Sequence, residues 1–105
     1  MAIIGARDPR RVDARARKQV EDRVKAEESH CHLCLTPVDK TLPAGLPASP
    51  EVDEIVPVSL GGDPLNRKNC RLAHKSCNAR RGNMSVAEFH RRYLHTQRLV
   101  TSRDW

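Results

Sequence analysis

Two short pairs of metal-binding residues frame the middle of the sequence, Cys31-His32-Leu33-Cys34 and His74-Lys75-Ser76-Cys77. Between them lies Val52-Asp53-Glu54-Ile55-Val56-Pro57, and Asn78 directly follows the second pair. Two ligands separated by two residues can turn toward one ion without straining the backbone, and four such ligands satisfy tetrahedral Zn²⁺. The acidic pair and the amide offer oxygen ligands, which harder cations prefer. The spacing therefore predicts a structural metal and a second metal that takes part in chemistry.

Composition limits the fold and the partner. A chain of 105 residues with 3% aromatic residues forms one domain with a small core, so a zinc staple is expected. The formal net charge of +6 favours a polyanionic partner, nucleic acid before a membrane, because no apolar run approaches a length of about 18 residues. With no secretory signal, four cysteines indicate a metal site in a reducing compartment, the cytoplasm.

Patterns along the chain predict an N-terminal helix, an irregular loop, two short strands, a short helix and a C-terminal helix. The first helix carries an apolar residue at every fourth position, and the last begins with the capping box Ser85-Val86-Ala87-Glu88. The N-terminal helix is expected at residues 7–28 and the irregular loop at 36–50. The two strands are expected at 51–58 and 69–73, the short helix at 75–81 and the C-terminal helix at 85–97.

From residue 31 to 83 the chain contains, in order, the first Cys-x-x-Cys pair, Asp-x-Ile-Val-Pro, Gly-Gly, Asn69, the second pair and Asn78. This order of motifs resembles the HNH endonuclease family, the zinc-stapled ββα-metal nucleases of phages and restriction systems. The resemblance implies a small α+β fold, a zinc-stapled ββα-metal core with flanking helices. Together with the chain length and the residue patterns, it predicts a single HNH nuclease domain over residues 1–105, with a basic tail and helix at 1–28, the core at 29–83 and a C-terminal helix at 84–105. The implied activity is metal-dependent hydrolysis of DNA phosphodiester bonds, in the host cytoplasm if the chain is phage-encoded.

The same resemblance assigns the site residues. Structural zinc is implied at Cys31, Cys34, His74 and Cys77. A catalytic divalent cation, Mg²⁺ or Mn²⁺, is implied at Asp53 and Asn78, and Asn69 matches the asparagine that orients the site by hydrogen bonding across the loop. Asn66, three residues upstream, competes with Asn69 for that role.

Glu54 departs from the family pattern, because it occupies the place of the usual general-base histidine. A carboxylate accepts a proton from water, but its reference pKa lies about 2 units below that of imidazole. Three interpretations follow: Glu54 is the base, it is an additional metal ligand, or the site is inactive.

Cys70 leaves the zinc ligands ambiguous. A site of Cys31, Cys34, Cys70 and Cys77 would release His74, which would then be available as the missing base. The His74-x-x-Cys77 spacing repeats the first pair and favours His74 as the ligand, with Cys70 buried on a strand. A disulfide or redox role for Cys31 and Cys34 is the remaining alternative.

Basic residues are expected to contact phosphates. Arg80 and Arg81 follow Asn78 on the predicted helix, while Arg15 and Lys18 belong to a dense basic run that also includes Arg7, Arg10, Arg11 and Arg17. The alternative is a solvated helix face. His30 and His32, beside the first cysteine, are expected to be exposed and to have no ligand role.

Two other functions remain open. A non-catalytic zinc module would bind DNA with the same residue pairs. An adaptor within a phage packaging complex is suggested because some small phage members of the family act beside the terminase large subunit and the portal.

A single HNH site cuts one DNA strand, so double-strand cleavage would need a dimer or two separate events. The sequence leaves the oligomeric state open.

Overall fold

The computed structural model describes residues 13–94 and has the α+β architecture expected from the sequence. Its elements are helix α1 (Ala14–Glu27), strands β1 (Pro50–Glu54) and β2 (Cys70–His74), and helices α2 (Lys75–Arg81) and α3 (Val86–Phe89). A π-helical turn, His90–Leu94, continues α3. Turns and bends fill the loop before β1, as its prolines predict. Residues 1–12, which include Arg7, Arg10 and Arg11 of the basic run, and the part of the predicted C-terminal helix beyond Leu94 lie outside the described residues.

The two strands form an antiparallel ribbon in which Asp53 lies opposite Arg71 and Glu54 lies opposite Cys70. Because side chains alternate along a strand, Asp53 and Glu54 project from opposite faces of the ribbon. Strand β1 is shorter than predicted, because Pro57 has no N–H to donate and a 3-10 turn begins immediately after it at Val58. The ribbon thus places adjacent acids in two different environments.

Glycine is required in the turn that follows β1. A Cβ atom at Gly62 would lie 1.7 Å from the carbonyl oxygen of Val56, so no side chain fits there. Gly61 has φ +92°, a left-handed conformation that glycine adopts without strain. These two residues let the chain double back toward β2.

Helix α1 packs against the ribbon through Val20 and Val24, which are buried. Asp13 caps its first turn by accepting from the Ala16 amide at 3.1 Å. At its other end, Glu28 accepts hydrogen bonds from the Leu72 amide and from two arginines, Arg67 and Arg71. Burial raises the pKa of Glu28, but these donors outweigh it and lower the pKa below its usual value. An ionised Glu28 therefore fastens the end of α1 to β2.

The apolar core is small, as expected from the composition. It consists of Val20, Val24, Cys31, Leu33, Val38, Cys70, Leu72, Ala73 and Phe89. Phe89 packs on Tyr93 with ring centroids 4.7 Å apart and ring planes tilted by 49°, so α3 and its π-helical turn present an apolar face to the core. Ser85 caps α3 by accepting from the Glu88 amide. Across residues 13–94, no helix has the length and apolarity needed to cross a membrane.

Candidate functional site

Four side chains from the two residue pairs converge on one point. The ligand atoms of Cys31, Cys34, His74 and Cys77 all lie within 4.8 Å of one another. A tetrahedral zinc ion separates its sulfur and nitrogen ligands by about 3.5–3.8 Å. The sulfurs of Cys34 and Cys77 lie 3.3 and 3.8 Å from His74 Nδ1, close to that separation. The Cys34 amide also donates to the Cys31 sulfur at 3.4 Å, as expected when a tight turn brings both ends toward one centre. The donor set and its spacing fit a structural zinc ion.

The imidazole of His74 is oriented for metal binding. Its Nε2 lies 3.1 Å from the Pro37 carbonyl oxygen, which can only accept, so Nε2 carries the proton. Nδ1 then has its lone pair directed toward the sulfurs of Cys34 and Cys77, at 3.3 and 3.8 Å. Such a second partner is typical of histidines that bind zinc. This geometry favours His74 over Cys70 as the fourth ligand.

Cys70 lies elsewhere, buried against α1. Its sulfur is 3.3 Å from Arg17 Nη1 and 3.4 Å from the Pro64 carbonyl oxygen. Burial raises the pKa of the Cys70 thiol, although the charge of Arg17 opposes the shift. The thiol therefore stays protonated and acts as a small core residue.

The pKa values of the cysteines in the sulfur cluster favour a bound cation. Burial raises the pKa of Cys34, but hydrogen bonds from Thr36 and from the neighbouring thiols outweigh it and lower the pKa to about 7. Burial and the negative charges of Cys31 and Cys34 raise the pKa of Cys77 to about 12. The protein alone thus keeps Cys77 protonated, whereas a bound cation would offset the repulsion between thiolates.

Asp53, at the centre of the acidic segment, is buried between two donors. His32 Nε2 lies 2.8 Å and Arg81 Nη1 lies 2.6 Å from the same carboxylate oxygen, Oδ2. Arg81 also donates to the carbonyl oxygens of Glu54, Ile55 and Met84. The arginine therefore ties α2 to the end of β1 while it neutralises Asp53.

Glu54 faces the opposite side of the ribbon and pairs with α1. Its Oε2 lies 2.9 Å from Arg17 Nη2, and both side chains are more than nine-tenths buried. Burial of a carboxylate is costly unless an opposite charge lies beside it, and Arg17 supplies that charge. Neighbouring acids on β1 are thus held by arginines from different helices.

Asn78 faces Glu51, two residues before Asp53 and on the same face of β1. Its Nδ2 donates to Glu51 Oε1 at 2.9 Å. Because a carboxylate only accepts, this contact fixes the amide, so that Oδ1 is left as the oxygen that can bind a cation. Both residues border an open polar cavity of about 360 Å³, together with Arg17, Glu21 and Lys25 of α1. Asp53 therefore bonds to His32 and Arg81, whereas Asn78 bonds to Glu51. The two predicted ligands of the catalytic cation share no hydrogen-bond partner within the described residues.

Asn69 spans the loop as the resemblance implied. Its side-chain oxygen accepts from the Val56 amide at 2.9 Å, and its nitrogen donates to the carbonyl oxygens of Val56 and Asp63. Asn66, the competing residue, instead accepts from the Lys68 amide and caps its own turn. The structure therefore gives the cross-loop contact to Asn69.

A comparison with known families agrees with this arrangement. The profile of the HNH endonuclease family matches residues 31–84, about half of the chain. The chain belongs to the HNH endonuclease family. No curated protein and no solved structure shows a significant match. The matched HNH segment (residues 31–84) contains both residue pairs, both strands and α2, whereas α1 precedes it.

The basic residues around the HNH segment divide into exposed and buried groups. Arg80 is exposed and lies 5.2 Å from the centre of the Tyr93 ring. Arg15 is exposed on α1, and so is Lys18, which pairs with Asp22. Arg81 is only 2% exposed, and its donors are engaged by Asp53 and backbone carbonyls, so the expected phosphate contact does not agree with its position.

Two further expectations change in the structure. His32 was expected to be exposed, but it is buried against Asp53, whereas His30 is exposed as expected. Arg17 was grouped with the exposed basic run, yet it is buried. One signal would have identified it: Arg17, Val20 and Val24 have i, i+3, i+7 spacing, which places the arginine on the apolar face of α1.

Proposed function

We propose that this protein is a divalent-metal-dependent endonuclease that hydrolyses phosphodiester bonds of DNA. The observation that carries the proposal is the contact between β1 and α2 next to the zinc-type cluster, where Glu51 fixes the Asn78 amide so that its oxygen can bind a cation. Membership of the HNH family supports nuclease chemistry, and the net charge of +6 suits a polyanionic substrate.

In this proposal Asp53 and Asn78 hold a Mg²⁺ or Mn²⁺ ion. Their oxygen donors suit such ions, and within residues 13–94 both hydrogen bonds to the Asp53 carboxylate go to Oδ2. When bound, the cation would polarise the phosphate and offset the charge on the leaving 3′ oxygen. Glu51 orients the Asn78 amide, and Asn69 keeps the loop after β1 in register.

The remaining roles fall to Glu54 and to exposed cations. Glu54 would accept the proton of the attacking water from the side of the cavity that Asn78 borders, in place of the histidine usual at that position, because its partner Arg17 borders the same cavity. Arg80, Arg15 and Lys18 offer exposed positive charge to phosphates on either side of the cut.

Replacing Glu54 with glutamine tests the proposal, because the amide keeps the shape of the side chain but is not a proton acceptor. We expect the zinc-loaded wild type to nick supercoiled plasmid DNA with Mg²⁺ or Mn²⁺, and E54Q to lose at least about 100-fold in rate. DNA affinity and zinc content should stay unchanged. An equally active E54Q would remove Glu54 from the mechanism.

One observation favours a second candidate, a non-catalytic zinc module that binds DNA. Asp53 and Glu54 both lie in buried ion pairs, with Arg81 and Arg17 respectively. Such ion pairs would serve to hold the fold together even in a protein without catalytic activity. Absence of nicking by the wild type with Mg²⁺, Mn²⁺, Co²⁺ and Ni²⁺, together with retained DNA binding, would select this second function.

A further inference from the structure

The guanidinium of Arg17 is bound on every side. Its Nε contacts Glu21 at 3.0 Å, and Nη1 contacts the Pro64 carbonyl oxygen and the Cys70 sulfur. Nη2 reaches the Val52 carbonyl oxygen at 3.4 Å and Glu54 Oε2 at 2.9 Å. A guanidinium has five N–H groups in a fixed plane, so these contacts determine both its position and its orientation.

This arrangement matters because α1 lies outside the HNH segment. The family profile begins at residue 31, yet the partner of Glu54 is supplied by residue 17. Glu54 also stands where the family usually has histidine, a side chain that can be neutral and needs no cation when buried. A carboxylate at that position does need one.

We propose that Arg17 is a positioning residue, which holds the Glu54 carboxylate in place for the reaction. The inference rests on the proposed nuclease function. Because Arg17 is anchored to four other groups on α1, on both strands and on the intervening loop, it cannot follow a displaced Glu54. The site is consequently incomplete without α1, and this helix is more than a basic arm for DNA. With only 6% of its surface exposed, Arg17 itself does not reach a phosphate.

The test compares Arg17→Gln and Arg17→Lys in the wild type and in the E54Q background. The zinc-loaded full chain is assayed for kcat and KM in plasmid nicking, for DNA affinity and for zinc content. We expect R17Q to lower kcat by about 10- to 100-fold with KM and DNA Kd within about twofold, because the cost is misplacement of a reacting group. R17K, which keeps the charge, should recover part of the rate. Adding R17Q to E54Q should cause no further loss.

Arg23→Gln is the matched control, because Arg23 lies exposed on the same helix and pairs only with surface residues in the part of the chain described here. It should leave kcat unchanged. An R17Q effect of equal size in both backgrounds would overturn the proposal, as would a rise in DNA Kd with constant kcat. If R17Q does not fold, R17K decides: its kcat loss must vanish in the E54Q background.

Failure of the proposed function has a different signature. A wild type that does not cut DNA, or an E54Q variant as active as the wild type, would refute the nuclease mechanism and this inference together. A normal wild type, an inactive E54Q and a fully active R17Q would refute only the role of Arg17. Urea denaturation of the wild type, R17Q, E54Q and the R17Q/E54Q double variant measures the Arg17–Glu54 coupling independently of activity.

Discussion

Replacing Arg81 with alanine should destabilise the protein far more than the same change at its neighbour Arg80. Arg81 donates at 2.6 Å to Asp53 and to the carbonyl oxygens of Glu54 and Ile55 at the end of β1, and at 2.7 Å to the Met84 carbonyl oxygen. Removing one partner of a buried ion pair costs about 3–5 kcal/mol. His32 still donates to Asp53 in the variant, so we expect about 3 kcal/mol, a large part of the stability of a small domain.

Arg80 provides the matched comparison. It lies one residue earlier on α2, is exposed and contacts the face of Tyr93 at 5.2 Å, an interaction worth about 0.5–1 kcal/mol. Urea denaturation of the zinc-loaded proteins, followed by far-ultraviolet circular dichroism, gives both free energies of unfolding. Arg81→Lys should remain destabilised, because a single ammonium cannot span acceptors arranged around a planar fork. Equal losses for R81A and R80A would refute the interior role assigned to Arg81.

Three further changes probe other parts of the fold. Removing zinc with a strong chelator should abolish the folded circular dichroism spectrum, and adding Zn²⁺ back should restore it. Zinc binding contributes about 10–16 kcal/mol, which exceeds the free energy of folding that so small an apolar core provides. A chelated sample that stays folded would contradict this. Gly62→Ala should lower stability by about 1–3 kcal/mol more than Gly45→Ala, measured by urea denaturation. Gly45→Ala costs only the strain of an alanine at φ +100°, whereas a Cβ atom at Gly62 also meets backbone at 1.7 Å. Glu28→Gln should cost about 1–3 kcal/mol at neutral pH in the same assay, because it weakens the charge-assisted bonds that fasten α1 to β2. A loss no larger than that of Asp22→Asn, a change at an exposed acid of α1, would count against that role.

The parts of the structure that the sequence predicted correctly depend on local rules. The x2 spacing of the cysteines and of His74-x-x-Cys77 acts over a few residues, and so does the Ser85 cap of α3. The end of α2 at Gly82 follows from the same kind of rule. The small core was predicted from the composition, because the chain has too few large apolar residues to form a larger one.

The missed features depend on contacts between residues distant in sequence. Arg81 bonds to a carboxylate 28 residues away, and Arg17 reaches a carbonyl group 35 residues away. A run of basic residues is usually solvated, and the only local sign that Arg17 is buried is its i, i+3, i+7 spacing with Val20 and Val24. The position of Asn78 was predicted, but its contact with Glu51 depends on how α2 lies along β1. Burial of charge is therefore decided by tertiary packing, which a single sequence indicates only weakly.

The acidic pair on β1 nevertheless implies both arginines once the ribbon is known to be covered on two sides. Strand geometry sends Asp53 and Glu54 to opposite faces, and a two-stranded ribbon is stable only when other elements pack on it. A carboxylate covered in this way requires a cation from the element that covers it. Helix α2 provides Arg81 for one face and α1 provides Arg17 for the other, so each ion pair also fixes the placement of a helix. Neighbouring acids on a thin, two-sided ribbon thus predict one buried basic residue on each flanking helix, and the charge pattern that defines the site also orients the fold around it.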